Sequence, residues 1–116
     1  MRYVFSPEAL TEYTEAVQYY AAQRIETAQA FINAIEDAVY RIRESPGRYA
    51  AIDDGVRRCM ARRFPYGILY TIEQDYILIL AVMHCSRKPG YWKSRKYCSK
   101  LPVANVFALT RKLGFA

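Results

Sequence analysis

The residues best suited to chemistry lie in the second half of the 116-residue chain. His84 ends a strongly apolar segment, and Arg87, Tyr91 and Trp92 follow it closely. Histidine titrates near neutrality and can act as a general acid or base, whereas arginine binds phosphate through paired N–H donors. Cleavage of RNA by its own 2′-hydroxyl needs a base, an acid and a cation for the phosphate. These residue types therefore fit a metal-independent endoribonuclease.

A second group of arginines precedes the apolar segment and extends this hypothesis. Arg62 and Arg63 follow Arg57 and Arg58 on a predicted neighbouring strand, from which their guanidinium groups can converge near His84. His84 and Tyr91 would then carry protons while an arginine stabilises the phosphate. The predicted catalytic set is Arg58, Arg62, His84, Arg87 and Tyr91.

Each of these residues also has an interpretation without catalysis. His84 at the end of a strand can be a structural hydrogen-bonding residue, and Tyr91 with Trp92 can fold back onto the sheet as a hydrophobic cap. The arginines can form a docking surface for an acidic partner. His84 and Cys85 are adjacent, which is poor spacing for a metal site, and the chain has no glycine-rich phosphate loop. We expect no metal and no cofactor.

Composition and charge limit the class of protein further. Hydrophobic residues make up 53% of the chain and charged residues 24%, which excludes a disordered chain. No apolar run reaches the ~18 residues of a membrane span, and no secretory signal is recognisable. Three cysteines without a CxxC pair favour reduced thiols in the cytoplasm.

The charge is divided unevenly along the chain. Residues 1–56 contain five basic and nine acidic residues, a net charge of −4, whereas residues 57–116 contain twelve basic and two acidic residues, a net charge of +10. A field of this size attracts an anionic partner.

The helices and strands that position these residues can be predicted from the spacing of hydrophobic residues and from helix-capping residues. Arg2 to Phe5 predicts a strand, and Ser6-Pro7-Glu8 begins a helical pattern that continues to Glu44. One straight helix over that range would be roughly 57 Å long, at ~1.5 Å per residue, which is too long for one small domain. We therefore expect a helical hairpin with its break near residues 23–27.

The second half of the chain predicts strands at residues 57–64, 68–73 and 76–84. The last of these is apolar on both faces, which is typical of a central strand. The order favours an α+β fold: an N-terminal strand and a two-helix hairpin packed on a small antiparallel sheet. We expect one domain over residues 1–96. Residues 97–116 form a C-terminal extension that fits either an amphipathic helix or a loosely held tail.

Residues 2–96 resemble the RelE/ParE superfamily of toxins from bacterial type II toxin–antitoxin systems, often labelled plasmid stabilisation proteins. The Ser6-Pro7-Glu8 helix start and the Phe64-Pro65-Tyr66-Gly67 segment are similar to it, and the run from Ala81 through Trp92 is the most specific part. The resemblance implies the α+β fold above. It also implies a cognate antitoxin, acidic and partly disordered, that wraps around the toxin.

Members of this superfamily act on two kinds of target. ParE-like toxins inhibit DNA gyrase, and RelE-like toxins are ribosome-dependent mRNA endoribonucleases. Arg58, Arg62 and Tyr91 match the ribonuclease pattern, whereas Gly67 and Cys85 occupy positions where that pattern has arginine, unless Arg87 replaces the second. The sequence thus favours a ParE-like gyrase inhibitor, with the RelE-like enzyme as the alternative.

The gyrase hypothesis places the target-binding surface in the late basic residues and requires no chemistry. A third hypothesis is a degenerate toxin that only binds its antitoxin and operator DNA. The predicted target-binding residues are Arg87, Lys88, Tyr91, Trp92, Lys93, Arg95 and Lys96.

Overall fold

The computed structural model of the chain describes residues 2–95 and contains two helices and five strands. Lys96 and the predicted extension at 97–116 lie outside the described residues. The elements are β1 (Arg2–Phe5), α1 (Pro7–Gln23), α2 (Ile25–Glu44), a 3-10 turn (Pro46–Arg48), β2 (Ala51–Asp53), β3 (Val56–Met60), β4 (Tyr66–Ile72) and β5 (Tyr76–His84).

The α+β prediction is confirmed, and the sheet is mixed. Its strand order is β1-β5-β4-β3-β2, in which β2 to β5 run antiparallel and β1 lies parallel to β5. Parallel neighbours need a long crossover connection, and here both helices and three strands separate the two in sequence. The sequence did not predict β2, and β4 begins at Tyr66, two residues earlier than expected.

The helical hairpin forms as predicted. Ser6 caps α1, because its Oγ accepts a hydrogen bond from the Ala9 N–H at 3.1 Å, and Pro7 occupies the first turn. A single extended residue, Arg24 (φ −156°, ψ 134°), separates α1 from α2. The break therefore lies inside the predicted interval, at a residue that is neither glycine nor proline.

The sheet buries apolar side chains on both faces. On the helix face, Phe5, Tyr13, Phe31 and Tyr70 belong to one large core with the hairpin. On the opposite face, called here the outer face, a smaller cluster contains Leu69, Leu80 and Trp92. Trp92 is only 3% exposed, which confirms its interpretation as a hydrophobic cap. Within residues 2–95, no helix is long and apolar enough to cross a membrane.

Candidate functional site

Glu12 on α1 holds the basic segment, defined here as residues 87–95, against helix α1 and strand β5. Its carboxylate accepts hydrogen bonds from the Tyr91 hydroxyl at 2.5 Å and from the backbone N–H of Val82 at 3.0 Å. The Arg95 guanidinium donates to both carboxylate oxygens, at 2.8 and 3.1 Å. The side chains of Glu12 and Arg95 are each only 13% exposed. The segment is thus anchored by a nearly buried, two-point ion pair.

This anchor exists because β5 extends beyond its neighbour β1. The pairing of the two strands ends at Phe5 opposite Ile79, so the edge of β5 after that point needs other hydrogen-bond partners. Leu80 is the extra residue of a bulge against β4, and its carbonyl accepts from the Ser6 hydroxyl at 3.2 Å and from Arg95 at 3.1 Å. Side chains of α1 and the basic segment therefore complete the sheet edge.

Tyr91 lies at the centre of the anchor. The guanidinium carbons of Arg87 and Arg95 lie 4.1 and 4.8 Å from the centroid of its ring, within range of cation–π attraction. Burial, and then the hydrogen bond to Glu12, raise the pKa of Tyr91 well above its usual value of 10.0. The hydroxyl therefore stays protonated near neutral pH and donates its hydrogen bond to the Glu12 carboxylate.

His84 has local partners of its own. Its Nδ1 accepts a hydrogen bond from the Ser86 backbone N–H at 3.0 Å and lies 2.7 Å from the Ser86 hydroxyl. A backbone N–H can only donate, so Nδ1 of His84 is the acceptor in this hydrogen bond. The ring packs edge-on against Tyr66, 5.0 Å between centroids. These local contacts hold the ring of His84 at the end of β5.

The predicted catalytic residues are distributed over both faces of the sheet. Arg58 is paired with Leu69, a residue of the outer-face cluster, whereas His84 is paired with Tyr66, a residue of the helix-face core. Arg62 lies beyond the end of β3 and its nearest acidic partner is Asp37 on α2, at 3.8 Å. The structure brings Arg87 to Tyr91 and places Arg87 in one cleft with Arg58 and in another with His84, but it does not gather the five residues at one point.

A cationic cleft lies on the outer face and is called here the outer cleft. It encloses about 370 Å³. Arg58, Arg87 and Lys93 line it, and no carboxylate does so among the described residues. Its other lining residues are Ile52, Met83, Cys85, Pro89, Gly90 and Trp92.

Gly67 explains how the side chain of Arg58 reaches this cleft. A Cβ at Gly67 would lie 3.1 Å from the Met60 sulfur and 3.3 Å from two stem carbons of Arg58. The aliphatic stem of Arg58 therefore occupies the space that a larger residue would need. The glycine that departs from the ribonuclease pattern has a packing role here.

The predicted target-binding residues divide into exposed and buried groups. Arg87, Lys88 and Lys93 are exposed, Tyr91 is half-buried, and Trp92 and Arg95 lie largely inside the fold. Lys96 lies outside the described residues. No three His, Cys, Asp or Glu side chains in residues 2–95 are placed to hold a metal ion. Glu12 was not predicted from the sequence, because its position on α1 is like that of any solvent-exposed glutamate.

The structure is thus a helical hairpin on a mixed sheet, with an anchored basic segment at the sheet edge. The family described as "ParE toxin of type II toxin-antitoxin system, parDE" matches residues 3–89, and the chain belongs to this family. The resemblance predicted from sequence is confirmed.

A solved structure has the same fold. It is described as the chromosomal ParDE TA system from P. aeruginosa, and the similarity covers 72% of this chain and 95% of that chain, with a TM-score of 0.64 and 18% sequence identity. No curated protein sequence matches the chain.

Proposed function

We propose that this type II toxin acts in the cytoplasm as a ParE-like inhibitor of DNA gyrase, by binding and without chemistry of its own. A cognate antitoxin, acidic and partly disordered, would neutralise it. One observation carries the proposal: each of the two predicted proton carriers already has a hydrogen-bond partner within the protein. The Tyr91 hydroxyl is bound to Glu12, and Nδ1 of His84 is bound to Ser86.

The exposed cations support a binding role. These cations are Arg87, Lys88 and Lys93. They belong to a segment that is fixed at one end by strand β5 and at the other end by the Glu12–Arg95 ion pair. Fixing the segment in advance lowers the conformational entropy lost on binding. Concentrated positive charge also accelerates encounter with an acidic surface.

One observation favours the alternative, a ribosome-dependent mRNA endoribonuclease. Arg58, Arg87 and Lys93 share the outer cleft, and three cations with no carboxylate among the described lining residues suit a phosphate group. In that case Tyr91 would have to leave Glu12 before it could transfer a proton.

The proposal is tested first in bacteria, by inducing the chain without antitoxin and following labelled thymidine and labelled leucine incorporation side by side. Gyrase inhibition predicts that thymidine incorporation stops first. If leucine incorporation stops first, the endoribonuclease replaces the gyrase inhibitor. If neither falls while the protein accumulates, this chain has no toxic activity and the proposal is wrong.

A second test uses purified gyrase and charge-matched variants. Replacing Lys88 and Lys93 together by Glu is expected to weaken inhibition of supercoiling about tenfold or more, equivalent to about 1.4 kcal/mol. The matched control replaces Arg2 and Arg24 by Glu, because both are exposed and neither belongs to the basic segment. Equal loss in both variants would mean that net charge, and not this surface, determines inhibition.

A further inference from the structure

A groove lies between helix α1 and the end of strand β5 and is called here the α1 groove. It consists of two adjoining cavities of about 200 and 380 Å³, both lined by Glu12, Glu15 and Arg87. The cavities extend along α1 from Pro7 to Tyr19. At ~1.5 Å per residue this distance is about 18 Å, which is the length of roughly three helical turns.

The α1 groove combines negative charge with apolar surface. Helix α1 contains three glutamates and no lysine or arginine, and two of them, Glu8 and Glu15, are exposed where they line the groove. Tyr19 lines the other end of the groove and is 62% exposed. Ala16 and Val82 contribute further apolar surface. A segment that carries both cations and apolar side chains fits such a groove.

The described part of the chain ends in this groove. Arg95, the last described residue, lines the groove and is held there by Glu12. The C-terminal extension at residues 97–116 contains three basic residues and no acidic residue. A spacing of three, three and four positions, which predicts an amphipathic helix, separates its apolar residues Val103, Val106, Leu109 and Leu113. The intervening residues 96–102 span at most about 24 Å when extended, which is enough to lay this helix along the groove.

Charge distinguishes the α1 groove from the outer cleft, which borders the same basic segment. Arg58, Arg87 and Lys93 line the outer cleft, and none of its described lining residues is a carboxylate. These cations repel a basic extension. Arg87 also lines the α1 groove, but there it is accompanied by the exposed carboxylates of Glu8 and Glu15.

We propose that the C-terminal extension docks in the α1 groove of the same molecule. Its cations face Glu8 and Glu15, and its apolar side chains cover Tyr19. The outer cleft and the exposed Lys93 stay open. The family match ends at residue 89, so the extension lies outside the matched part of the chain. This inference does not depend on the proposed function.

The test compares two positions of matched exposure in the full chain. Tyr19 in the groove is 62% exposed, and Tyr40 on α2 is 60% exposed. Tyr19→Cys and Tyr40→Cys are made separately in a chain that carries Cys85→Ser and Cys98→Ser, while Cys59 is buried and is retained. The thiol at position 19 is expected to react with iodoacetamide about tenfold more slowly than the thiol at position 40.

A second pair of variants shows whether the extension causes this protection. Replacing Val106 and Leu109 together by Ser removes apolar contacts without changing the charge, and it should raise the rate at position 19 while leaving the rate at position 40 within about twofold. Equal rates at the two positions in the parent chain overturn the proposal, and so does protection that survives the Ser substitutions. Protection that appears only as the protein concentration rises assigns the groove to the extension of a second copy and overturns docking within one molecule.

Crosslinking of the unsubstituted chain locates the extension directly. A carbodiimide joins carboxylates to nearby lysines, and we expect the monomer to contain crosslinks from Glu8 or Glu15 to Lys100 or Lys112. Asp54 is the control, because it is exposed in the β2–β3 turn at the opposite edge of the sheet. Crosslinks from the extension to Asp54 as frequent as those to α1, or none to α1, would overturn the proposal. Neither experiment involves gyrase, so its result is independent of the proposed function.

Discussion

The Glu12 carboxylate and the Arg95 guanidinium form a two-point ion pair, with N–O distances of 2.8 and 3.1 Å, across 83 residues of sequence. Both side chains are nearly buried, so salt screens the pair less than a surface pair. Glu12 also holds the Tyr91 hydroxyl and the Val82 N–H. One carboxylate therefore joins α1, β5 and the basic segment.

Replacing Glu12 by Gln is expected to lower the free energy of unfolding by about 2–4 kcal/mol. The amide leaves the Arg95 charge without its counterion in a largely buried position, and its NH₂ group cannot accept the hydrogen bonds that the carboxylate accepts. Urea unfolding at unchanged m-value measures the loss. Glu15→Gln is the control, because Glu15 is exposed on the same helix and should change stability by less than about 0.5 kcal/mol. Equal effects of the two variants would contradict the anchor.

Replacing Tyr91 by Phe is expected to leave toxicity intact. The ring keeps its contacts with Arg87 and Arg95, while the hydroxyl and its hydrogen bond to Glu12 are lost. Stability should fall by about 1–2 kcal/mol. An enzyme that used this hydroxyl for proton transfer would instead lose ~10²–10⁴ in rate. Growth inhibition at matched protein levels distinguishes the outcomes, with Tyr19→Phe on the exposed surface of α1 as control.

Gly55 in the turn of the β2–β3 hairpin allows a test of backbone strain, with Gly47 in the preceding 3-10 turn as control. Gly55 has φ +73°, and no heavy atom lies within 4 Å of the point that a Cβ would occupy, so Gly55→Ala should cost about 1 kcal/mol through conformation alone. Gly47 is equally open but lacks the left-handed backbone. Gly47→Ala should therefore be neutral or slightly stabilising. Thermal unfolding of the two variants should differ, and identical melting temperatures would refute the argument.

High pH should destabilise the fold through two buried phenols. Burial is the main reason that the pKa of Tyr66 and of Tyr70 is each raised to about 12. The unfolded chain releases these protons near pH 10, whereas the folded chain retains them to about pH 12. Folded protein thus binds more protons in that window, and stability must fall as pH rises through it.

Near-ultraviolet phenolate absorbance, followed together with circular dichroism, checks this expectation. The last tyrosines should ionise together with the loss of the folded signal. Tyr70→Phe should reduce the slope of stability against pH between about pH 10 and pH 12, because one linked proton is removed. An unchanged slope would show that Tyr70 ionises freely in the folded protein.

Local signals in the sequence were sufficient for the helical hairpin. The cap at Ser6 and Pro7 is contained within one turn, and the hydrophobic period needs only neighbouring residues. The need for a break near residues 23–27 followed from length, because no compact domain of this size accommodates a single helix of that extent. By contrast, β2 has three residues without an alternating pattern, and its existence depends on pairing with β3.

The site was harder to predict because it depends on register between strands. Alternation within β3 indicates which residues share a face, but only the pairing of Arg58 with Leu69 and of Tyr66 with His84 shows that Arg58 and His84 face opposite sides. Glu12 could not be singled out at all. Its partners lie 70, 79 and 83 residues away, and nothing in its local sequence distinguishes it.

The parallel pairing of β1 with β5 determines when the chain can fold during synthesis. β1 is synthesised before the other described strands, yet its partner β5 is the last of them, and the Glu12 carboxylate acquires its counterion only when Arg95 has emerged. Such non-local contacts form late, after the hairpin and the β2–β4 strands can pair locally. The nascent toxin therefore completes its anchored cationic surface only after residue 95 has been translated.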